Sequence, residues 1–463
     1  MLNCCYFASE FENMVTHQER ICVLGLGYVG MTLAVSLANA GYKVHGLEVR
    51  QEVLDKLSKA EPTFFEEGLE AEIRSALRKN NFSFSKDQHA IPFKPTTFII
   101  TVGTPLSKSG DIRLDMIENA TRQIAEIMQD GDLVILRSTV RLGTARKVIR
   151  PILEATGKRF EIAVCPERTL EGLALKELHY LPQVIGADDI ETRERCAILF
   201  GRLTPTTIKV STLETAEMIK LVDNTYRDVI FSFGNEVARV CDVAGINAYE
   251  VINGGKLGYP RTNVALPGLV GGPCLEKDPH ILNQSAQLFG LDTGLDVTAS
   301  ARLVNERQPA ETVQFIAAAF RQLQAEGPKR ILLAGLTFKG YPETDDLRGS
   351  MSLEVLTALK DTFKDASFAG YDPKLDRKAI EALGLLYVSD IVEEAGKFDL
   401  VVIANNHPSF KRIPWAEIFD KGAQPRLVYD YWNNFNAFDA PEYANRYVVL
   451  GNHAAFNNFQ HRK

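Results

Sequence analysis

The stretch that most constrains the fold is "RICVLGLGYVGMTLAVSLANAGYKVHGLE", residues 20–48. Its opening "ICVLG" is an apolar run short enough to be a strand buried on both faces. Gly25, Gly27 and Gly30 follow as G-x-G-x-x-G, with Tyr28 and Val29 between them. "MTLAVSLANA" then carries a helical pattern that Gly41 ends. "KVHGLE" reads as a second strand closing on Glu48, about 20 residues beyond the glycines. In that context the glycines allow a tight turn and close approach of a pyrophosphate. The helix N-terminus faces the phosphates, and the acid meets the ribose hydroxyls. Gly25, Gly27, Tyr28, Val29, Gly30 and Glu48 are therefore candidate cofactor-binding residues. A carboxylate at the ribose favours NAD over NADP, because it would repel a 2′-phosphate.

The alternation of strand and helix continues. "TTFIITVGTP", "DLVILRSTV" and "FEIAVCPER" each read as a buried strand ending in small or polar residues. Ligands of open parallel sheets bind at such carboxyl ends, which singles out Thr104, Ser138, Thr139, Glu167 and Arg168. Ordinary turn chemistry is the alternative at each of them. Beyond residue 210, "LETAEMIKLVDNTYRDVIFSFGNEVARVCDVAG" repeats apolar residues at helical spacing until Gly245. Lys220 and Asn224 share one face of that helix. Asn is disfavoured in a helix interior, so a working side chain competes there with a merely solvated face. A second helix-rich stretch spans residues 292–326. Then "KRILLAGLTFKG", "MSLEVLTALKD", "SFAGYDP" and "FDLVVIANNH" repeat the strand–helix plan. The first turn of this half lacks a full G-x-G-x-x-G and carries Lys339 and Arg348, groups suited to phosphate or to a domain interface.

At 463 residues more than one core is expected. The fold class is α/β, with two Rossmann-like doubly wound domains joined by a helical middle region that includes a long central helix. Residues 1–19 form a loosely ordered tail, with Met14 as an alternative start, and 20–210 the NAD-binding domain. Residues 211–327 form a central helical domain, and 328–463 a second, C-terminal Rossmann-like domain. The active site is expected in the cleft between the two α/β domains. A net charge of −7 argues against a nucleic-acid partner, and no apolar run reaches the length of a membrane span. Cys4, Cys5, Cys22, Cys165, Cys196, Cys241 and Cys274 show no CxxC or zinc-ligand spacing. No metal is expected, and a reducing, cytoplasmic location is. Cys274, in "PGLVGGPCLEKDP", follows two glycines and a proline; it is either a small buried hydrophobe or a nucleophile.

Taken in order, "GLGYVG", "VGTPL", "STV", "CPERTLEG", "AEMIKLVDNTYRDVIFSFGNEVARVCDVAGI", "GGPCLEKDP", "GLTFKGYPETDDLRGS" and "YDYWN" resemble the nucleotide-sugar 6-dehydrogenases, the UDP-glucose and UDP-N-acetylhexosamine dehydrogenase family. The resemblance runs from Arg20 onward. It implies oxidation of a sugar C6 hydroxymethyl to a carboxylate at the expense of two NAD+, in the service of surface-polysaccharide precursors. An aldehyde must gain an oxygen before a second hydride can leave, which a thiolate arranges through a thiohemiacetal and a thioester. Cys274 matches the family's nucleophile. Asp278 and Thr139 match a pair that positions water or relays a proton. Lys220 and Asn224 match an oxyanion-stabilising pair. Glu167 matches a general base, with an ion pair as its structural alternative. Glu171 aligns with a second glutamate, and Arg168 and Gly271 fall among substrate-contacting positions. Arg261 matches an arginine that reaches the substrate of the neighbouring subunit, and Lys339 and Arg348 match positions that hold the nucleotide diphosphate. The 292–326 helix corresponds to a dimerisation element, so a homodimer is expected.

Arg168 after "PE", "TLEGLALKEL", "PRTNV" and the proline after "KD" favour an N-acetylated hexosamine, UDP-ManNAc or UDP-GlcNAc. "GGPCLEKDP" leans to UDP-glucose, the alternative substrate. Glu48 stands where many relatives carry aspartate. A single-step β-hydroxyacid dehydrogenase shares the fold plan and a catalytic lysine, but needs neither Cys274 nor a second α/β domain. A non-catalytic nucleotide-sugar-binding protein would not need the set Thr139, Glu167, Lys220, Asn224, Cys274 and Asp278.

Overall fold

The structure is a computed structural model that describes residues 19–107, 110–323, 325–422, 424–435, 443, 445–453 and 456. The tail expected over residues 1–18, with Cys4, Cys5 and Met14, lies outside the described residues. The chain divides into two compact units, Met1–Val222 and Asp223–Lys463. Residues 211–327 contribute to both.

Eight strands form the sheet of the first unit: β1 (Arg20–Leu24), β2 (Lys43–Leu47), β3 (Phe82–Ser85), β4 (Thr97–Ile100), β5 (Asp132–Leu136), β6 (Phe160–Val164), β7 (Gln183–Gly186) and β8 (Thr207–Val210). Their order is β3-β2-β1-β4-β5-β6-β7-β8, parallel throughout except that β7 runs against β6. Both faces are covered, so the strands are continuous apolar runs rather than alternating ones. Leu24 pairs with Ile100, Ile100 with Leu136, and Leu136 with Val164. The carboxyl ends of β1, β4, β5 and β6 are therefore level. The glycine turn, "TVGTP", "RSTV" and "CPER" are thereby set along one edge of the sheet. Helix α1 (Tyr28–Asn39) starts directly from Gly27, and every residue from Gly30 to Ala38 is buried. Such all-round burial is why its sequence is small and apolar with little amphipathic pattern.

The chain passes into the second unit within helix α2 (Leu213–Ala244). It stops where Gly245 adopts φ +72°, a left-handed conformation that glycine takes readily. The helix expected over residues 292–326 covers the shorter span Asp296–Gln322, α3. Val313, Ile316, Ala319 and Phe320 of α3 join the core on one face of a second sheet. Exposed apolar side chains stand on both long helices: Met218, Val222, Tyr226, Phe233 and Val240 form a stripe on α2, and Val297 and Leu303 lie on α3.

The second sheet comprises β9 (Arg330–Ala334), β10 (Ser367–Tyr371), β11 (Leu386–Tyr387), β12 (Leu400–Ile403), β13 (Leu427–Asp430) and β14 (Tyr447–Val449). Its order, β11-β10-β9-β12-β13-β14, is that of a doubly wound sheet. Helix α4 (Met351–Thr362) covers one face through Val355, Leu356 and Leu359. Trp415, Phe419 and Tyr447 fill the other. Among the described residues no helix is long and apolar enough to cross a membrane.

Candidate active site

In the first unit, Gly25 holds φ +93° and its N–H donates to Leu47 O at 2.8 Å. A side chain at Gly30 would strike the carbonyl oxygen of Gly25, so helix and turn approach closely only because that position is bare. A Cβ at Gly27 would meet nothing within 4 Å, leaving an open recess at the start of α1. That recess and the N–H groups at the helix start fit a pyrophosphate. The Tyr28 ring lies 3.9 Å from that of Phe64. Glu48 is buried at the end of β2. Its Oε2 accepts from Leu26 N at 2.9 Å and Arg50 Nη2 at 3.1 Å, and its Oε1 from Arg50 N at 3.0 Å and Nε at 3.1 Å. Burial pushes this carboxyl up, but the hydrogen bonds from Arg50 and Leu26 outweigh it and hold the group below its ordinary range.

Along the same edge, Thr104 Oγ1 donates to Thr139 O at 2.6 Å, tying two strand-end loops together. Arg137, which the apolar pattern of β5 concealed, is fully buried. It donates through Nη2 and Nε to Glu167 Oε2 at 2.6 and 3.0 Å, and through Nη1 to Gln183 at 2.8 Å. Glu167 Oε1 accepts the backbone N–H groups of Arg168 and Thr169, each at 2.8 Å. Burial raises the Glu167 carboxyl, yet the charge of Arg137, these hydrogen bonds and the nearby Lys220 hold it below its ordinary value. Glu167 is thus a buried ion pair, the structural alternative kept open for it in the sequence. Arg168 and Glu171 are half-buried on the loop that follows.

Lys220 is 8% exposed on α2, and no described residue accepts a hydrogen bond from its ammonium. Three residues earlier, Glu217 accepts Gly143 N at 2.5 Å and Ala145 N at 2.8 Å, from the loop that carries Thr139. Burial pushes the Glu217 carboxyl up to about 7 despite these two bonds. Neither Arg137 nor Glu217 was singled out in the sequence. The available signals were a charge at the end of an apolar strand and an acid on the Lys220 face of the helix.

In the second unit, Cys274 is exposed, whereas Cys22, Cys165, Cys196 and Cys241 are buried. The packing alternative therefore describes those four and not Cys274. The thiol stands on a helical turn, Gly272–Leu275, that follows Gly271. Gly272 adopts φ +92° and its N–H donates to Gly349 O at 2.7 Å. Side chains at Gly271 and Gly272 would collide with Gly349 and Phe338 respectively. The cysteine turn is therefore seated against the loop carrying Lys339 and Arg348. Asp278 is fully buried, accepting Asn224 Nδ2 at 2.5 Å and Lys277 Nζ at 2.6 Å. Lys339 lies over the Phe338 ring at 5.3 Å, and Arg348 pairs with Asp346 at 2.7 Å. Arg261 sits on an exposed loop with its guanidinium over Tyr259.

The first unit thus brings Gly25, Gly27, Tyr28, Val29, Gly30, Glu48, Thr104, Thr139, Glu167 and Lys220 to its sheet edge and the adjoining helix. The second groups Asn224, Gly271, Cys274 and Asp278, with the Lys339 loop beside them, and leaves Arg261 apart. Among the described residues no cluster of His, Cys, Asp and Glu could hold a metal ion.

A dinucleotide cradle, an exposed thiol beside a buried Asn–Asp pair, and a second nucleotide-type sheet define an NAD-dependent dehydrogenase. The chain belongs to the UDP-glucose/GDP-mannose dehydrogenase family, matching its NAD binding domain over residues 19–204, its central domain over 214–307 and its UDP binding domain over 332–437. It is 34% identical over 418 residues to a UDP-N-acetyl-D-mannosamine dehydrogenase of Pyrococcus horikoshii, covering 89% of this chain and 94% of the other. A solved structure of the UDP-D-ManNAc dehydrogenase from Pyrococcus horikoshii superposes with a TM-score of 0.83 at 30% identity, covering 94% of this chain and all of the other. A UDP-glucose dehydrogenase from Pyrobaculum islandicum gives a TM-score of 0.83 at 27% identity, covering 94% and 98% of the two chains.

Proposed function

We propose that the chain oxidises the C6 hydroxymethyl of a UDP-N-acetylhexosamine, UDP-N-acetylmannosamine foremost, to the uronic acid. The observation that carries this reading is the exposed Cys274 thiol on a glycine turn, in the same unit as the buried Asn224–Asp278 pair. The choice of sugar rests on the activity named for the Pyrococcus horikoshii relative. NAD fits the recess at Gly25–Gly30 and the carboxylate of Glu48, and when bound it supplies the hydride acceptor, used twice.

The remaining work falls to side chains. Lys220 and the second amide N–H of Asn224 stabilise negative charge as it develops on the sugar oxygen. The Cys274 thiolate adds to the aldehyde carbon, forming a C–S bond in a thiohemiacetal. After the second two-electron oxidation the carbon is a thioester. Water then breaks the C–S bond, giving the carboxylate and returning the thiol. Asp278 and Thr139 orient that water. Glu167, kept ionised by Arg137, is a weak proton acceptor, so it orients water and polarises it more than it strips its proton. Arg168, Glu171, Gly271, Lys339 and Arg348 line the substrate, the last two at the diphosphate. Residues 211–327 form the part that carries the thiol and the dimer contact, between the NAD-binding residues 20–210 and the nucleotide-sugar residues 328–463. Two copies associate through the long helices of this part, the central helix α3 with its exposed Val297 and Leu303 and the apolar stripe of α2, placing Arg261 at a neighbouring subunit's substrate. The five described cysteines are all free thiols, which suits the cytoplasm.

The test is NADH formation with UDP-ManNAc, UDP-GlcNAc, UDP-GalNAc and UDP-glucose in parallel. Two NADH per sugar are expected with UDP-ManNAc; turnover of UDP-glucose alone would transfer the reading to the UDP-glucose 6-dehydrogenase. Cys274→Ser is expected to bind NAD+ normally and to lose uronic acid formation by on the order of 10³-fold or more. Acid production at the parental rate would refute the thiol as nucleophile.

A further inference from the structure

The cysteine turn is fixed from below by a buried polar network, none of whose members had a role in the sequence. Arg302 of α3 is 3% exposed. Its Nη1 donates to Leu275 O at 2.9 Å, the carbonyl immediately after Cys274, and its Nη2 to Val270 O at 3.5 Å, just before the two glycines. The same Nη1 donates to Asp228 Oδ1 at 2.7 Å. Asn305 donates to that oxygen at 2.9 Å and accepts from Asn235 Nδ2 at 3.0 Å. Asn235 in turn clamps Gly268 from both sides, accepting its N–H at 2.9 Å and donating to its carbonyl at 3.1 Å. Asp228, Asn235 and Asn305 have no solvent exposure.

From this geometry we infer that Arg302 is a positioning residue for Cys274, holding the 268–275 segment in the shape that presents the thiol. The inference rests on Cys274 being the nucleophile. A guanidinium is a rigid fork, able to hold two carbonyls and a carboxylate in fixed relation, which an ammonium on a flexible stem does not do. Asp228 neutralises its charge, so Arg302 acts on the thiol by placement rather than by field. Asp228 Oδ2 is buried with no partner among the described residues, and buried ion pairs of this kind are often replaceable by apolar residues without loss of stability. Retaining one against the underside of the cysteine turn fits a geometric task.

A misplaced thiol penalises the second oxidation, because the aldehyde leaves before sulfur attacks. A merely structural role would lower both oxidations together. The experiment is turnover of UDP-ManNAc with hydroxylamine present to trap released aldehyde as the oxime, in Arg302→Lys and in the charge-free pair Arg302→Met/Asp228→Asn. The second variant keeps the test available if the first does not fold. Expected are a fall of on the order of 10²-fold in uronic acid formation, a move from two NADH per sugar towards one, and a KM for NAD+ within about twofold of the parent. Two NADH per sugar in a folded variant, whatever its rate, would overturn the positioning role. Cys274→Ala run beside them separates the two ideas. If it still makes acid at the parental rate, the nucleophile reading fails; if it stalls while the Arg302 variants keep two NADH per sugar, only the positioning fails.

Discussion

The two sheets begin with the same turn and use it differently. "GLGYVG" at Gly25–Gly30 and "GLTFKG" at Gly335–Gly340 align residue for residue. Gly25 and Gly335 hold φ of +93° and +85°, and each donates its N–H at 2.8 Å to the last carbonyl of the neighbouring strand, Leu47 and Tyr371. Leu26 N donates to Glu48, and Leu336 N to Asp372 at 2.8 Å. One difference is a side chain. Gly27 leaves a recess, whereas Thr337 fills its own, donating to Asp372 at 3.1 Å and accepting from Asn405 Nδ2 at 3.0 Å. Helix α1 then starts at once, while the second turn runs on through Lys339 and Arg348 before α4 begins at Met351. A shared strand and turn therefore do not by themselves make a dinucleotide site: the open space at Gly27 and the helix that starts there at once set the first turn apart.

The sharpest way to break this comparison is to give the first turn the residue of the second. Gly27→Thr is expected to fold, since a Cβ there meets nothing within 4 Å, and to raise the KM for NAD+ by on the order of 10²-fold. That corresponds to one or two charge-assisted hydrogen bonds to phosphate at about 1.5–3 kcal/mol each. An unchanged KM would show that the recess is not where the cofactor sits. In the second turn, Thr337→Val keeps the shape and removes the hydrogen bonds to Asp372 and Asn405. A loss of about 1–3 kcal/mol in denaturant unfolding is expected, with the KM for NAD+ unmoved; a shift in that KM would mean the turns are not functionally separate.

The smallest effect concerns pH. Burial raises Glu217 from 4.5 to about 7, so the folded state favours its protonated form. The stability this contributes is complete below about 4.5 and is lost as pH rises through about 7. Asp242, raised from 3.8 to about 7, has the same sign in the second unit. Glu217→Gln is expected to flatten the fall in Tm between about pH 5 and 7.5 relative to the parent. Parallel profiles would remove Glu217 as a titrating group.

Much of this was legible in the sequence because it was local. The glycine turn, the strand ends and the stop of α2 at Gly245 each follow from neighbours in the chain. The nucleophile candidate was legible from its glycines, but its exposure was not, since five described cysteines look alike until burial separates them. What escaped were long-range polar contacts. Arg137 meets Glu167 and Gln183, and Arg302 meets Asp228, across separations that leave no periodic trace. Asp228 in particular reads as the polar face of a helix and turns out to have no exposure at all. The expected 292–326 helix overran at its start because Gly294, at φ +73°, takes a left-handed turn just before α3 begins at Asp296, a stop that the polar residues around it did not announce.

The Glu48–Arg50 pair carries a kinetic consequence. A carboxylate has about four acceptor sites, and in Glu48 all four are occupied, three of them by Arg50. Ribose hydroxyls therefore compete with a residue of the protein for the same lone pairs, and the nucleotide is held less firmly than an unencumbered acid would hold it. A catalyst that discharges reduced cofactor twice for each sugar gains from a short residence time. Arg50→Ala should hold NADH longer in stopped-flow displacement, and faster release would show that the arginine steadies the nucleotide instead. Arg50 is thus a built-in rival for the ribose-binding carboxylate, expected to shorten the stay of the reduced cofactor that the first oxidation leaves behind.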